Sequence, residues 1–240
     1  MKILIPILLL TMLSNCSSNG SWRTASRKSA NIAPKPQDLK ESIVQVYGAR
    51  AYSWRGYFGI HPWISWKKKD ESEYTVAQVI GWQLRRSDTS VSVEKDLPDR
   101  HWYGSKPTVL QTIRGEEADK VIDHIKGLIK KYTKGGTYVV FPGPNSNTFV
   151  DYLIRNTKEL TVELPSTAVG KDFLSDSMLF DKSPGGYGFQ FSIYGLLGLT
   201  MGLSEGIEVN ILGLVFGIDF LRPALKLPLI GRLGFPDAPL

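Results

Sequence analysis

Ile60-His61-Pro62-Trp63-Ile64-Ser65-Trp66 and Tyr74-Thr75-Val76-Ala77-Gln78-Val79-Ile80-Gly81-Trp82, separated by the charged run Lys67 to Glu73, form the stretch on which the fold turns. β-Branched and aromatic residues dominate both arms, so both favour extended backbone. A period of two places His61, Trp63 and Ser65 on one face of the first arm. The charged run reads as a turn, and the arms pair as an antiparallel hairpin centred near Asp70. Upstream, Ile43-Val44-Gln45-Val46-Tyr47 reads as a further strand, followed by Ala51-Tyr52-Ser53-Trp54 and a glycine-punctuated turn from Arg55 to Gly59. Downstream, strands are expected near Ser90 to Val93 and at Thr108 to Arg114. The sum is a small antiparallel sheet.

Two helices follow. From Glu116 to Tyr132 the apolar residues Val121, Ile122, Ile125, Leu128, Ile129 and Tyr132 recur on one helical face. Glu116, Glu117 and Asp119 occupy the first turns, where the helix dipole favours negative charge. The second helix begins in Gly143-Pro144-Asn145-Ser146-Asn147-Thr148-Phe149 and runs to about Asn156. Asn145 suits the N-cap, and Phe149, Val150 and Leu153 supply the buried stripe. Tyr138-Val139-Val140-Phe141 before it is strand-like, so Ser146 is expected at a strand-to-helix corner.

The last third changes character. Ser183 to Ser204 carries no charge, but six glycines interrupt it and Phe189, Phe191 and Ile193 alternate with Gln190, Ser192 and Tyr194. Strands fit this better than a membrane-spanning helix, and Ile207 to Phe220 and Ala224 to Leu227 continue the pattern. The fold class is therefore α+β: a small antiparallel sheet with packed helices over residues 42–180, and a β-rich apolar module over residues 181–240 of the same domain. An exposed face on that module would be a partner or membrane surface. Residues 16–41, rich in Ser, Pro and basic side chains without a helical or strand period, read as a flexible tether.

Composition narrows the function. The chain has 240 residues, 42% of them hydrophobic, and one cysteine, so its fold rests on its core without a disulfide framework. The net charge of +6 is spread over Lys67-Lys68-Lys69, Arg85-Arg86 and Lys130-Lys131, which read as solvated faces. No nucleic-acid motif appears. Three dispersed histidines with no paired cysteines make a metal site improbable, and Gly185-Gly186-Tyr187-Gly188 lacks the Lys-Ser or Lys-Thr of a phosphate loop. No cofactor is expected. Lys171-Asp172 reads either as part of a cleft or as a surface pair.

The first sixteen residues resemble a bacterial lipoprotein signal: Lys2, an apolar run from Ile3 to Leu13, and Leu13-Ser14-Asn15-Cys16 as a cleavage site, with Asn15 where small residues are usual. The resemblance implies removal of residues 1–15, fatty acylation of Cys16, and an exported protein held on a membrane of the cell envelope by its N-terminal lipid.

The segments YGARAYSWRGYFGIHPWISWK, VIGWQLRR, RGEEA, FPGPNSNTFV, ELPSTAVGKDF and FGIDFLRPALKLPLIGRLG resemble a family of bacterial envelope proteins built on a domain of unknown function. More distantly, Gly-x-His-x-Trp-Ile and Asn-x-Asn-x-Phe resemble the circularly permuted papain-like hydrolases and acyltransferases of the lecithin retinol acyltransferase type. That resemblance implies His61 as base and Ser146 in the position of the family's nucleophilic cysteine. The third, orienting residue is expected on the next strand. Gln78, diagonal to His61 across the hairpin, is the choice, with Gln83 a poorer one. A serine, unlike a cysteine, is not ionised by a helix dipole and needs His61 within hydrogen-bond reach. Such an enzyme would act on amide or ester bonds of cell-wall peptide or lipid. The residues equally permit a structural Ser146 behind its cap and a structural His61 under tryptophans, which gives a noncatalytic binding or structural module of the envelope.

Overall fold

The computed structural model describes residues 21–174 and 179–237. The leader and Cys16 lie outside the described residues. Five strands, β1 (Ile43–Arg50), β2 (Ile60–Lys67), β3 (Thr75–Val79), β4 (Val91–Lys95) and β5 (Thr108–Arg114), form an antiparallel sheet in the order β4-β3-β2-β1-β5. The hairpin closes as its residues dictate, with Trp66 opposite Thr75 and Ile64 opposite Ala77. A single helical turn, α1 (Arg55–Phe58), stands where the glycine-rich turn was expected.

Alternation divides the sheet into two faces. Val44, Val46, Ile64, Trp66, Ala77 and Val79 point one way and bury against the helices α2 (Gly115–Lys131) and α3 (Ser146–Arg155). From α2 come Ala118, Val121, Ile122 and Ile125, and from α3 Phe149, Val150, Leu153 and Ile154. Each large side chain so buried stabilises the fold by about 1.5–3 kcal/mol. Tyr47, Ala49, Trp63 and Val76 point the other way and pack with Trp102.

That second face is covered by the segment expected to be a tether. Ile32 packs on its aromatic cluster, and the buried Asp99 carboxylate accepts hydrogen bonds from Ser29 Oγ (2.8 Å) and from the backbone N–H groups of Ile32 (2.7 Å) and Ala33 (3.1 Å). Tyr74 Oη donates to Pro34 O, and Leu39 is buried with Ile43 and Tyr74. A segment without period is thus fixed by one acceptor and two apolar anchors, and the described part of the tether belongs to the domain.

Two further expectations need correction. Lys67 is not on a solvated face: it ends β2 fully buried, its ammonium donating to the carbonyls of Leu39, Lys68 and Lys69. Tyr138 to Phe141 forms no strand, because Pro142 and Pro144 lack ladder donors and the segment instead folds onto the start of α3 through Val139 N to Pro144 O.

The remaining chain is one meander. Strands β6 (Phe180–Lys182), β7 (Gly188–Ile193), β8 (Leu197–Gly202), β9 (Gly206–Ile211), β10 (Leu214–Asp219), β11 (Ala224–Leu227) and β12 (Gly231–Gly234) pair in sequence order as a seven-stranded antiparallel sheet. The α+β architecture with a β-rich C-terminal module is therefore as the sequence pattern indicates. Its polarity is reversed from the usual amphipathic sheet. Gln190, Ser192, Thr200, Glu208, Asn210 and Lys226 face inward and are buried. Outward, the register aligns Phe180, Phe191, Leu199, Val209 and Phe216 in one row and Phe189, Met201, Ile207, Ile218, Leu225 and Leu233 in another.

Candidate functional site

The start of α3 is built from polar side chains spent on backbone. Asn145 caps the helix, its Oδ1 accepting from the N–H groups of Asn147 (2.9 Å) and Thr148 (3.2 Å), while Thr148 Oγ1 accepts from Asn145 N–H to complete a capping box. The Asn145 amide donates to Val140 O and Val169 O, both at 3.0 Å. Asn147 Nδ2 donates to Ile60 O and Val169 O, and Thr148 Oγ1 to Gly170 O. Three of the four residues in Asn-Ser-Asn-Thr thus lock the helix onto the start of β2 and onto the 168–170 loop. Gly170 must be glycine, since its φ is +99° and a Cβ there would lie 2.3 Å from Asn145 Nδ2.

Ser146 is the first residue of α3, buried, at the position of the helix dipole's positive end. Its spacing of three, four and seven from Phe149, Val150 and Leu153 turns it toward the helix-covered face of the sheet.

His61 is on the opposite face. It is the second residue of β2, buried, with its ring stacked on Trp102 at 3.6 Å between centroids and 8° between planes, and Trp63 alongside at 6.0 Å. His61 Nε2 donates to Gln78 Oε1 at 3.0 Å, in the diagonal relation expected from the hairpin. Burial lowers the imidazole pKa to about 3, against the raising effect of the Gln78 bond and with a further lowering from Arg100. The ring is therefore neutral at pH 7. The structure brings His61 and Gln78 together and leaves Ser146 behind the sheet. No hydrogen bond joins Ser146 to His61 among the described residues. Gln83 goes elsewhere, donating to Val91 O.

The largest concentration of titratable groups was not apparent from the sequence. Between α3, the 163–172 segment and the inward face of the second sheet, Lys171 Nζ lies 2.6 Å from Glu208 and 3.2 Å from Asp172, and Lys226 Nζ lies 2.6 Å from Glu163 and 3.1 Å from Glu208. Asp172 also accepts from Gln190 and Asn210, while Arg155 bridges Asp151 and Gln190. All of these charged side chains are at most one-tenth exposed. Burial alone would raise the Glu208 pKa, but Lys171 and Lys226 outweigh it and hold the carboxyl at about 2. Glu163 is pushed the other way, by burial first and the Glu208 charge second. Charges at alternate positions of otherwise apolar strands, Glu208 and Lys226, are the signal that marks this cluster.

Fold and site together define a two-sheet α+β protein in which a polar helix start fastens loops, a neutral histidine sits in an aromatic stack, and ion pairs join the second sheet to the 163–172 segment. Residues 41–173 match the family model described as "Protein of unknown function (DUF3750)", and the chain belongs to that family. The match spans the first sheet and both long helices and ends before the second sheet. No curated protein and no solved structure matches the chain.

Proposed function

We propose that this protein is a lipid-anchored component of the bacterial envelope, exported by its leader and acylated on Cys16, which uses a permuted papain-like scaffold as a noncatalytic binding module. What supports the noncatalytic part is that His61 stacks on Trp102 on the face of the sheet away from α3, with its Nε2 given to Gln78. A serine at a helix start without a base in reach is not a nucleophile at neutral pH, because the dipole alone does not ionise a hydroxyl. The scaffold reading is supported by the strand that carries His61, the Gln78 partner on the next strand, and the later helix opening at Ser146. The anchor reading rests on the leader and on Cys16 being the only thiol in the chain.

The test is a Ser146→Cys variant of the acylated chain, in which the Cys16 sulfur is blocked. Alkylation by iodoacetamide at pH 7 is expected to be no faster than that of a free thiol and unchanged by His61→Ala. Rapid alkylation that slows when His61 is removed, together with hydrolysis of an activated ester that Ser146→Ala abolishes, would return the protein to the hydrolases. The anchor is tested separately by labelled fatty acid, which the wild type should incorporate and Cys16→Ala should not.

A further inference from the structure

We infer that the outward face of the C-terminal sheet is a membrane-docking surface, lying in the acyl-chain boundary of a bilayer. The inference rests on the envelope reading above and adds the part of the fold that meets lipid. Phe189, Met201, Ile207, Ile218, Leu225 and Leu233 line up across six adjacent strands, and each is at least 37% exposed. A second row runs parallel to it, and the only charged side chain sharing this face in β6 to β12 is Lys182, on the short edge strand beside Phe189. A contiguous exposed apolar face of this kind marks an interaction surface.

Three observations favour lipid as the occupant. The strands have three to six residues, fewer than the roughly 9–11 that a membrane-spanning strand needs, so the sheet lies along a bilayer and does not cross it. Its inward face is filled with ion pairs that hold it to the rest of the domain, leaving only the outward face to enter an apolar phase. Exposed Tyr187 and Tyr194 stand at the turns at opposite ends of β7, where amphipathic rings suit the headgroup level, and the chain's charge of +6 suits anionic headgroups.

The test uses the full chain bound to phosphatidylcholine–phosphatidylglycerol vesicles that contain a radiolabelled phospholipid. A benzophenone amino acid is placed at Phe216 or Met201 on the face, or at exposed Val93 of β4 as the control. Lipid adducts at the two sheet positions should exceed those at Val93 by about tenfold, and Val209→Asp should lower the Phe216 adduct by about tenfold with the circular dichroism spectrum unchanged. Crosslinking of Phe216 to a second copy of the chain, or to another protein, would overturn the inference. So would equal lipid labelling at Phe216 and Val93 in chain recovered with the vesicles. Failure of the anchor appears elsewhere, as fatty-acid label unaffected by Cys16→Ala, so the two readings fail in distinguishable ways.

Discussion

Removing the Glu208 carboxylate leaves Lys171 and Lys226 close together in a dry interface with one fewer counter-charge. Glu208→Gln should therefore cost about 3–5 kcal/mol, the usual penalty for breaking a buried pair from one side. For a chain of this size, calorimetry should show the melting temperature falling by roughly 6–20 °C. Replacing Lys171 and Glu208 together by Met and Leu should not recover that loss, because the buried Asp172 then loses its cation while Lys226 keeps only Glu163. His61 yields a pH prediction. Its folded pKa of about 3 lies below its ordinary 6.5, so its contribution to stability is complete above 6.5 and is lost as the pH falls toward 3. Between pH 6.5 and pH 5 it should remove about 2 kcal/mol of stability, and His61→Gln should reduce the dependence of melting temperature on pH in that window by that amount. The hairpin made the His61–Gln78 contact legible, because a tight antiparallel turn fixes which side chains are diagonal. Trp102 was not legible as the stacking partner, because it arrives from a loop whose path no periodicity describes.

Among the elements, α3 is the one whose boundaries the side chains dictate most directly. Asn145 serves as cap and as double donor to Val140 O and Val169 O, so Asn145→Ala removes the capping box and both of those hydrogen bonds, leaving Val169 O only its bond from Asn147. A loss of about 2–4 kcal/mol is expected in denaturant unfolding. Ser146→Ala, at the next position, should change stability by less than about 0.5 kcal/mol, since no hydrogen bond of its hydroxyl is made among the described residues. That contrast separates a fastening motif from its spare member. Asn-Ser-Asn-Thr looked like a nucleophile motif because a helix N-terminus attracts the same residue types whether it binds an oxyanion or closes its own orphan N–H groups. The strands of the second sheet were legible from alternation, but their orientation was not. Alternation states that one face is polar and one apolar, and only the position of Lys171, Glu163 and Arg155 turns the polar one inward.

At the scale of the whole molecule, two ion pairs and a hydrogen bond tie α3 and the 163–172 segment to the second sheet as one cooperative body. Lys171 to Glu208, Lys226 to Glu163 and Arg155 to Gln190 all cross from the first part of the fold to the second. A single unfolding transition is expected in scanning calorimetry, and a chain ended at residue 180 should fail to fold, because it would take Lys226 from Glu163, Glu208 from Lys171 and Gln190 from Arg155 and uncover the surface that the second sheet buries. Two separate transitions, or a folded truncation, would contradict this. The sequence by itself determined the elements: the hairpin about Asp70, the amphipathic α2, the capped α3 and a strand-rich final third all follow from local period, propensity and capping, which act over a few residues. Tertiary structure alone decided what those elements face. The side of the sheet on which α3 lies, the covering of His61 by Trp102, and the outward turn of the apolar C-terminal face depend on contacts between residues tens of positions apart or more. Such contacts leave no periodic trace in the chain, because their energy comes from burial and charge pairing that exist only once the layers have met.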